Sequence, residues 1–125
     1  MIFVKFGECL KQFRKKRGFR LSQAAQMLDI STSYLSSMES GARPAPYFEK
    51  LQQIADTLEL TNRERYLLYD LAAESKQPPT LSEDLNRYIY QNLVIRDLLR
   101  YAMECQLSEK EWNAILSFVK KHYYF

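Results

Sequence analysis

The chain has 125 residues, 46% of them hydrophobic and 14% aromatic, enough to bury a core and too apolar for a disordered tail. Three glycines and four prolines are too few turn formers for an all-β fold, so helices are expected. The net charge is only +3, but residues 1–43 hold eight Lys/Arg against three Asp/Glu, a local positive field that suits a polyanionic partner. Cys9 and Cys105 are far apart and His122 is the sole histidine. That pattern excludes a disulfide framework or a zinc site and fits a reduced compartment. The opening "MIFVKF" is too short for a signal peptide, and no apolar run approaches a membrane span, so a soluble cytoplasmic protein is expected.

In chain order, Phe6, Cys9, Leu10 and Phe13 keep helical spacing, and a Lys/Arg cluster before Gly18 supplies a C-terminus, giving a helix over 6–17. Leu21, Ala24, Ala25 and Leu28 share one face of a short second helix, which Asp29 ends. Next comes "DISTSYLSSMESG", a loop by composition. Ser31 is a good N-cap, however, Ile30 and Leu35 stand at hydrophobic-staple positions, and Gly41 is placed as a stop. The spacing therefore predicts a helix over 32–40. Leu35 and Met38 face inward; Thr32, Ser33, Ser36, Ser37 and Ser40 face outward, with Tyr34 on the flank.

"ARPAP" reads as a stiff loop. A fourth helix follows over 47–58, with Phe48, Leu51, Ile54, Ala55 and Leu58 inward. Thr61-x-x-Glu64 is a capping box opening a fifth helix through Leu67, Leu68, Leu71 and Ala72. "ESKQPP", residues 74–79, is the expected linker. Beyond it, Thr80-x-x-Glu83 opens another helical stretch, 93–103 a further one, and Ser108-x-x-Glu111 with Leu107 and Trp112 starts the last helix. Residues 1–73 are thus expected to form one domain and residues 80–125 a helical segment. Cys9 and Cys105 are expected to be small buried residues, and His122 to be exposed.

The second and third helices, with Ala25 at the crossing, Asp29 and Ile30 in the turn, and Leu35 and Met38 as anchors, have the makings of a helix-turn-helix. "FRKKRGFRLSQAAQMLDISTSYLSSMESGARPAPYFEKLQQIADTLEL", residues 13–60, resembles the phage repressor/Cro-type (XRE) helix-turn-helix family. Arg14 and Glu39 match an Arg–Glu pair of that family, here expected to hold the fold, and "ESGARPAP" matches its "E-x-G-x-R/K-x-P" ending. Asp29 stands where the family usually has Gly, and Leu21 where several members carry a phosphate-touching Gln. The resemblance spans roughly residues 6–72. It implies an all-α, five-helix lambda-repressor-like DNA-binding domain, followed here by the C-terminal helical segment.

The resemblance further implies double-stranded DNA binding with residues 32–40 in the major groove. Carried over position by position, Thr32, Ser33, Tyr34, Ser36 and Ser37 become base-facing residues. Ser22, Gln23, Ser40, Arg43, Lys16, Arg17 and Arg20 become phosphate contacts, the last three also supplying further positive field. Hydroxyls donate or accept alike, so they discriminate bases less well than Arg or Gln; DNA shape, bridging water and a thymine-methyl contact from Thr32 are expected to share the readout.

Residues 80–125 are rich in Leu and Tyr yet carry no net charge, and three short helices bury such faces poorly alone. A homodimer, acting as a repressor on a palindromic operator, is the leading expectation. The alternative is an antitoxin or anti-repressor whose C-terminal helices hold another protein and whose DNA binding is autoregulatory. One histidine, separated cysteines and no spaced acid pair leave nothing to assemble a catalytic site; no enzyme activity, metal or cofactor is expected.

Overall fold

A computed structural model describes residues 5–123; the apolar opening "MIFV" and the final Tyr124 and Phe125 lie outside them. The described residues form helices and connecting turns: α1 (Phe6–Lys16), α2 (Leu21–Met27), α3 (Thr32–Ser40), α4 (Phe48–Thr57), α5 (Asn62–Glu74), α6 (Glu83–Gln91), α7 (Leu93–Cys105) and α8 (Glu109–His122). No helix among them is long and apolar enough to cross a membrane. The chain divides into two compact units, one ending at Asn86 and the other beginning at Arg87.

The first unit is built around one core. Phe6, Cys9, Leu10 and Phe13 of α1 meet Ala24 and Ala25 of α2, Leu35 and Met38 of α3, Leu51, Ile54 and Ala55 of α4, and Leu68 of α5. Ala25 at 1% exposure and Met38 at 0% show why the small residue and the anchors recur where they do: α2 and α3 sit against each other only if the crossing residue is small. Burial pushes the Cys9 thiol up to about 12, with Glu64 and Glu8 adding to the effect, so this sulfur is a packing group rather than a nucleophile.

Local chemistry sets the helix ends. Asp29 takes the left-handed conformation at φ 55° that Gly would take more cheaply. Around it, Ile30 N–H donates to Ala25 O at 3.0 Å and Asp29 N–H to Gln26 O at 3.1 Å, closing α2. The α5 capping box forms as expected: Glu64 N–H donates to Thr61 Oγ1 at 3.2 Å and Thr61 N–H to Glu64 Oε1 at 2.9 Å.

Glu64 does more than cap. Arg17 donates to it at 2.6 Å and Lys16 at 3.2 Å, tying the end of α1 to the start of α5. The Arg17 hydrogen bond is the main cause that lowers the Glu64 carboxyl from 4.5 to about 2; burial opposes it, and the Thr61 N–H and Lys16 assist. A depressed carboxylate contributes stability that is full above its ordinary value and lost as pH falls through the depressed one. Replacing Glu64 with Gln should therefore lower stability by a constant amount above pH about 4.5, and the difference should vanish towards pH about 2. Denaturant titrations across that window test this, and a pH-independent difference would exclude the ion pair as its cause.

The Thr80 capping box does not form. Thr80 N–H donates to Ala73 O at 3.1 Å, so the stretch after Pro79 turns back onto the end of α5. The helix instead starts at Glu83, with Ser82 buried to 4% exposure and its carbonyl accepting from Asn86 N–H at 3.2 Å.

In the second unit, Asn92 Nδ2 donates to Tyr88 O at 2.9 Å, closing α6 before α7. Gln106 at φ 53° ends α7, and Leu107 N–H returns to Ala102 O at 3.2 Å. Ser108 and Glu111 then cap α8 reciprocally, as the sequence predicts. Cys105 is exposed, contrary to the expectation of a buried residue, because it falls at the solvated end of α7. His122 is exposed, as expected; it stacks on Phe118 with ring centroids 4.1 Å apart. Large apolar side chains here stay open: Leu98, Leu116 and Phe118 are 46%, 51% and 58% exposed.

Candidate nucleic-acid interface

The third helix is held in place from three directions. Its own face supplies Leu35 and Met38, 1% and 0% exposed. Its N-terminus is capped by Ser31, whose Oγ accepts from Tyr34 N–H at 3.0 Å. Its C-terminus is gripped by Arg14, which donates through Nε and Nη2 to the two Glu39 carboxylate oxygens at 2.7 and 2.9 Å. Arg14 Nη1 also donates to Phe19 O at 2.8 Å, so one side chain fastens both α3 and the entry to α2 onto α1. The hydrogen bonds to Glu39 push the Arg14 pKa higher still. Gly41 at φ 85° ends the helix in the left-handed conformation.

The α1–α3 contact depends on Gly7. A Cβ built there would lie 2.4 Å from Met38 O and 2.5 Å from Glu39 O, so the backbones meet with no room for a side chain. On the other side of the turn, Lys50 Nζ and Gln53 Nε2 donate to Leu28 O at 3.2 and 3.4 Å. They bind α4 to the carbonyl left free at the end of α2. Gly7, Lys50 and Gln53 position the helix-turn-helix, and sequence reading misses all three because helical spacing carries no trace of a carbonyl on another element.

With its inner face buried, α3 presents Thr32, Ser33 and Ser36 exposed, and Ser37 and Tyr34 half-buried. Tyr34 packs against the core edge, and the Arg43 guanidinium lies over its ring, 5.5 Å from the centroid. Arg43 N–H donates to Ser37 O at 3.0 Å, which fixes the loop to the helix. Ser40 is exposed, but its hydroxyl serves the helix end, donating to Ser37 O at 3.1 Å and accepting from Ala42 N–H at 3.4 Å. At the start of α2, Ser22 is exposed and Gln23 caps the helix, its Oε1 accepting from Arg20 N–H at 3.3 Å. The side chain of Arg20 is exposed; those of Lys16 and Arg17 are drawn to Glu64, and Arg17 donates to Glu59 O as well, at 3.1 Å.

The arrangement is a rigid helix with a hydroxyl-lined outer face and an exposed arginine at its far end. Such a helix fits the major groove in width, and short donors and acceptors near its N-terminus reach base edges.

A family model described as a helix-turn-helix domain matches residues 5–68. Among curated proteins, the HTH-type transcriptional regulator SinR of Bacillus subtilis is 26% identical over 114 residues, 91% of each chain. Among solved structures, the crystal structure of the master regulator for biofilm formation SinR in complex with DNA is 32% identical, covering 45% of this chain and 89% of that one with a TM-score of 0.42. The SinR protein/SinI protein complex is 26% identical, covering 94% and 96% with a TM-score of 0.48.

Proposed function

The chain belongs to the helix-turn-helix domain family, in its phage repressor/Cro-type (XRE) branch, and from that premise we propose that it is a sequence-specific, double-stranded DNA-binding transcriptional regulator. The observation that carries this reading is the outer face of α3: exposed hydroxyls on a helix locked by the buried Arg14–Glu39 pair, ending at an exposed Arg43. Similarity to a named transcriptional regulator across 91% of both chains supports it. Thr32, Ser33, Tyr34, Ser36 and Ser37 are the proposed base-facing residues. Ser22, Gln23, Arg20, Ser40 and Arg43 are the proposed phosphate contacts. Lys16 and Arg17, already engaged by Glu64, contribute mainly field.

Repression follows from steric occlusion of a promoter by a dimer on a palindromic operator. The functional division we propose is residues 1–73 for DNA and 80–125 for pairing, joined through 74–79. The exposed Leu98, Leu116 and Phe118 favour a protein partner for that segment, with a second copy of the chain as the first occupant. A heterologous partner, and with it an antitoxin or anti-repressor role, is the second reading the same face supports. The reading places the protein in the cytoplasm, with its DNA, and assigns it no catalytic step. A monomeric mass by light scattering at working concentrations would overturn the dimer.

Arg43 provides the test of DNA binding by this face. Arg43→Ala should weaken binding to every duplex and flatten the dependence of log affinity on log salt by about 0.9 for each phosphate that the arginine neutralises. An unchanged slope would remove Arg43 from the interface.

A further inference from the structure

Beside α3 lies a cleft of about 420 Å³ lined by Tyr34, Arg43, Pro44, Pro46, Tyr47 and Lys76. Its composition is unlike the hydroxyl face: two cations, two phenols, two prolines and Ala45. Tyr47 is 88% exposed, although it sits at the N-cap of α4 and makes no side-chain capping bond there. Among the described residues, neither Arg43 nor Lys76 is held in an ion pair.

We propose that this cleft is a further backbone-phosphate site, occupied by the DNA strand that flanks the half-site, with Arg43 and Lys76 as its cations and the Tyr47 hydroxyl as a donor. The proposal rests on the DNA-binding reading and extends it beyond the matched residues 5–68, because Lys76 belongs to the stretch after α5. Three features select this occupant. The cleft is continuous with the α3 face through Tyr34 and Arg43, so a strand seated on α3 runs on into it. The Arg43 guanidinium lies over the Tyr34 ring and is held in no ion pair among the described residues, so a cation restrained by the ring stands ready for an anion. The charged residues of the lining are both basic, Arg43 and Lys76, with no carboxylate among them, and such a lining favours a polyanion.

The test uses the full chain and two duplexes carrying the same selected site, one with several flanking base pairs on each side and one trimmed to the site. Lys76→Ala and Tyr47→Phe alter exposed side chains, so circular dichroism should match the wild type. On the long duplex, Lys76→Ala should bind more weakly and flatten the log affinity–log salt slope by about 0.9. The wild-type advantage then shrinks about three- to fourfold between about 50 and 200 mM salt. On the trimmed duplex the variant and the wild type should bind alike. Tyr47→Phe should weaken binding on the long duplex only, without changing the slope.

Equal binding of Lys76→Ala and wild type to the long duplex would overturn the proposal. So would an equal weakening on both duplexes, which would make Lys76 act through the fold or through pairing. If the wild type bound neither duplex with steep salt dependence, the DNA-binding reading itself would fall, whatever Lys76 does.

Discussion

Replacing Glu39 with Ala is expected to cost about 3–5 kcal/mol of stability, the range for removing one partner of a buried ion pair. Arg14 is 8% exposed and the Glu39 side chain 6%. The guanidinium would therefore lose two charge-assisted hydrogen bonds and keep only Phe19 O. An exposed pair would be worth at most about 1 kcal/mol, so the magnitude itself reports burial. Replacing both residues together, Arg14→Leu with Glu39→Leu, should cost much less, because no uncompensated charge remains. Urea unfolding of the two singles and the double measures this. A single-variant loss under about 1 kcal/mol would mean that the pair is solvated. A double variant as unstable as the single would mean that shape, not charge, holds α3.

Gly7→Ala separates two effects of opposite sign. In a solvated helix the change gains about 1 kcal/mol, because Gly is the poorer helix former. Here the new methyl would stand 2.4 Å from Met38 O and 2.5 Å from Glu39 O. Both obstacles are backbone, so neither can rotate away, and α1 and α3 must part. Overpacking of this kind costs about 1–3 kcal/mol and occasionally more, and the upper end applies because Met38 and Cys9 are fully buried beside the contact. The expected result is a net loss of about 1–2 kcal/mol together with weaker DNA binding, since the helix that moves is the one proposed to meet the bases. A stabilised Gly7→Ala protein with unchanged binding would contradict so close an approach of α1 to α3.

The sequence made the locally determined features legible. Ser31, Gly41, Thr61 with Glu64, and Ser108 with Glu111 act within one turn of themselves, so spacing alone predicts them. The burial of Leu35 and Met38 follows from period. Arg14 and Glu39 lie 25 residues apart and are paired by resemblance, not by local chemistry. What stayed hidden is set between elements. Thr80 has the residues of a capping box but spends its N–H on Ala73 O. Lys16 and Arg17 read as free charge and are instead drawn to Glu64, Arg17 across 47 residues. Gly7 resembles any helical glycine until the neighbouring carbonyls are seen, and Lys76 resembles any linker lysine until it lines a cleft. The hydroxyl face of α3 was legible as a surface, whereas the bases it prefers are not encoded in residues that bond so permissively.

The direct test of α3 as the reading element is selection of bound duplexes from a random pool, carried out with wild type, Arg43→Ala, and a Ser33→Ala/Ser37→Ala double variant. The wild type should enrich a palindrome whose half-sites lie about 10–10.5 base pairs apart, or a multiple of that. Arg43→Ala should enrich the same site at lower affinity, and the serine variant should change the preferred bases. No enriched site, or one identical site from all three proteins, would contradict the assignment of α3 to the major groove.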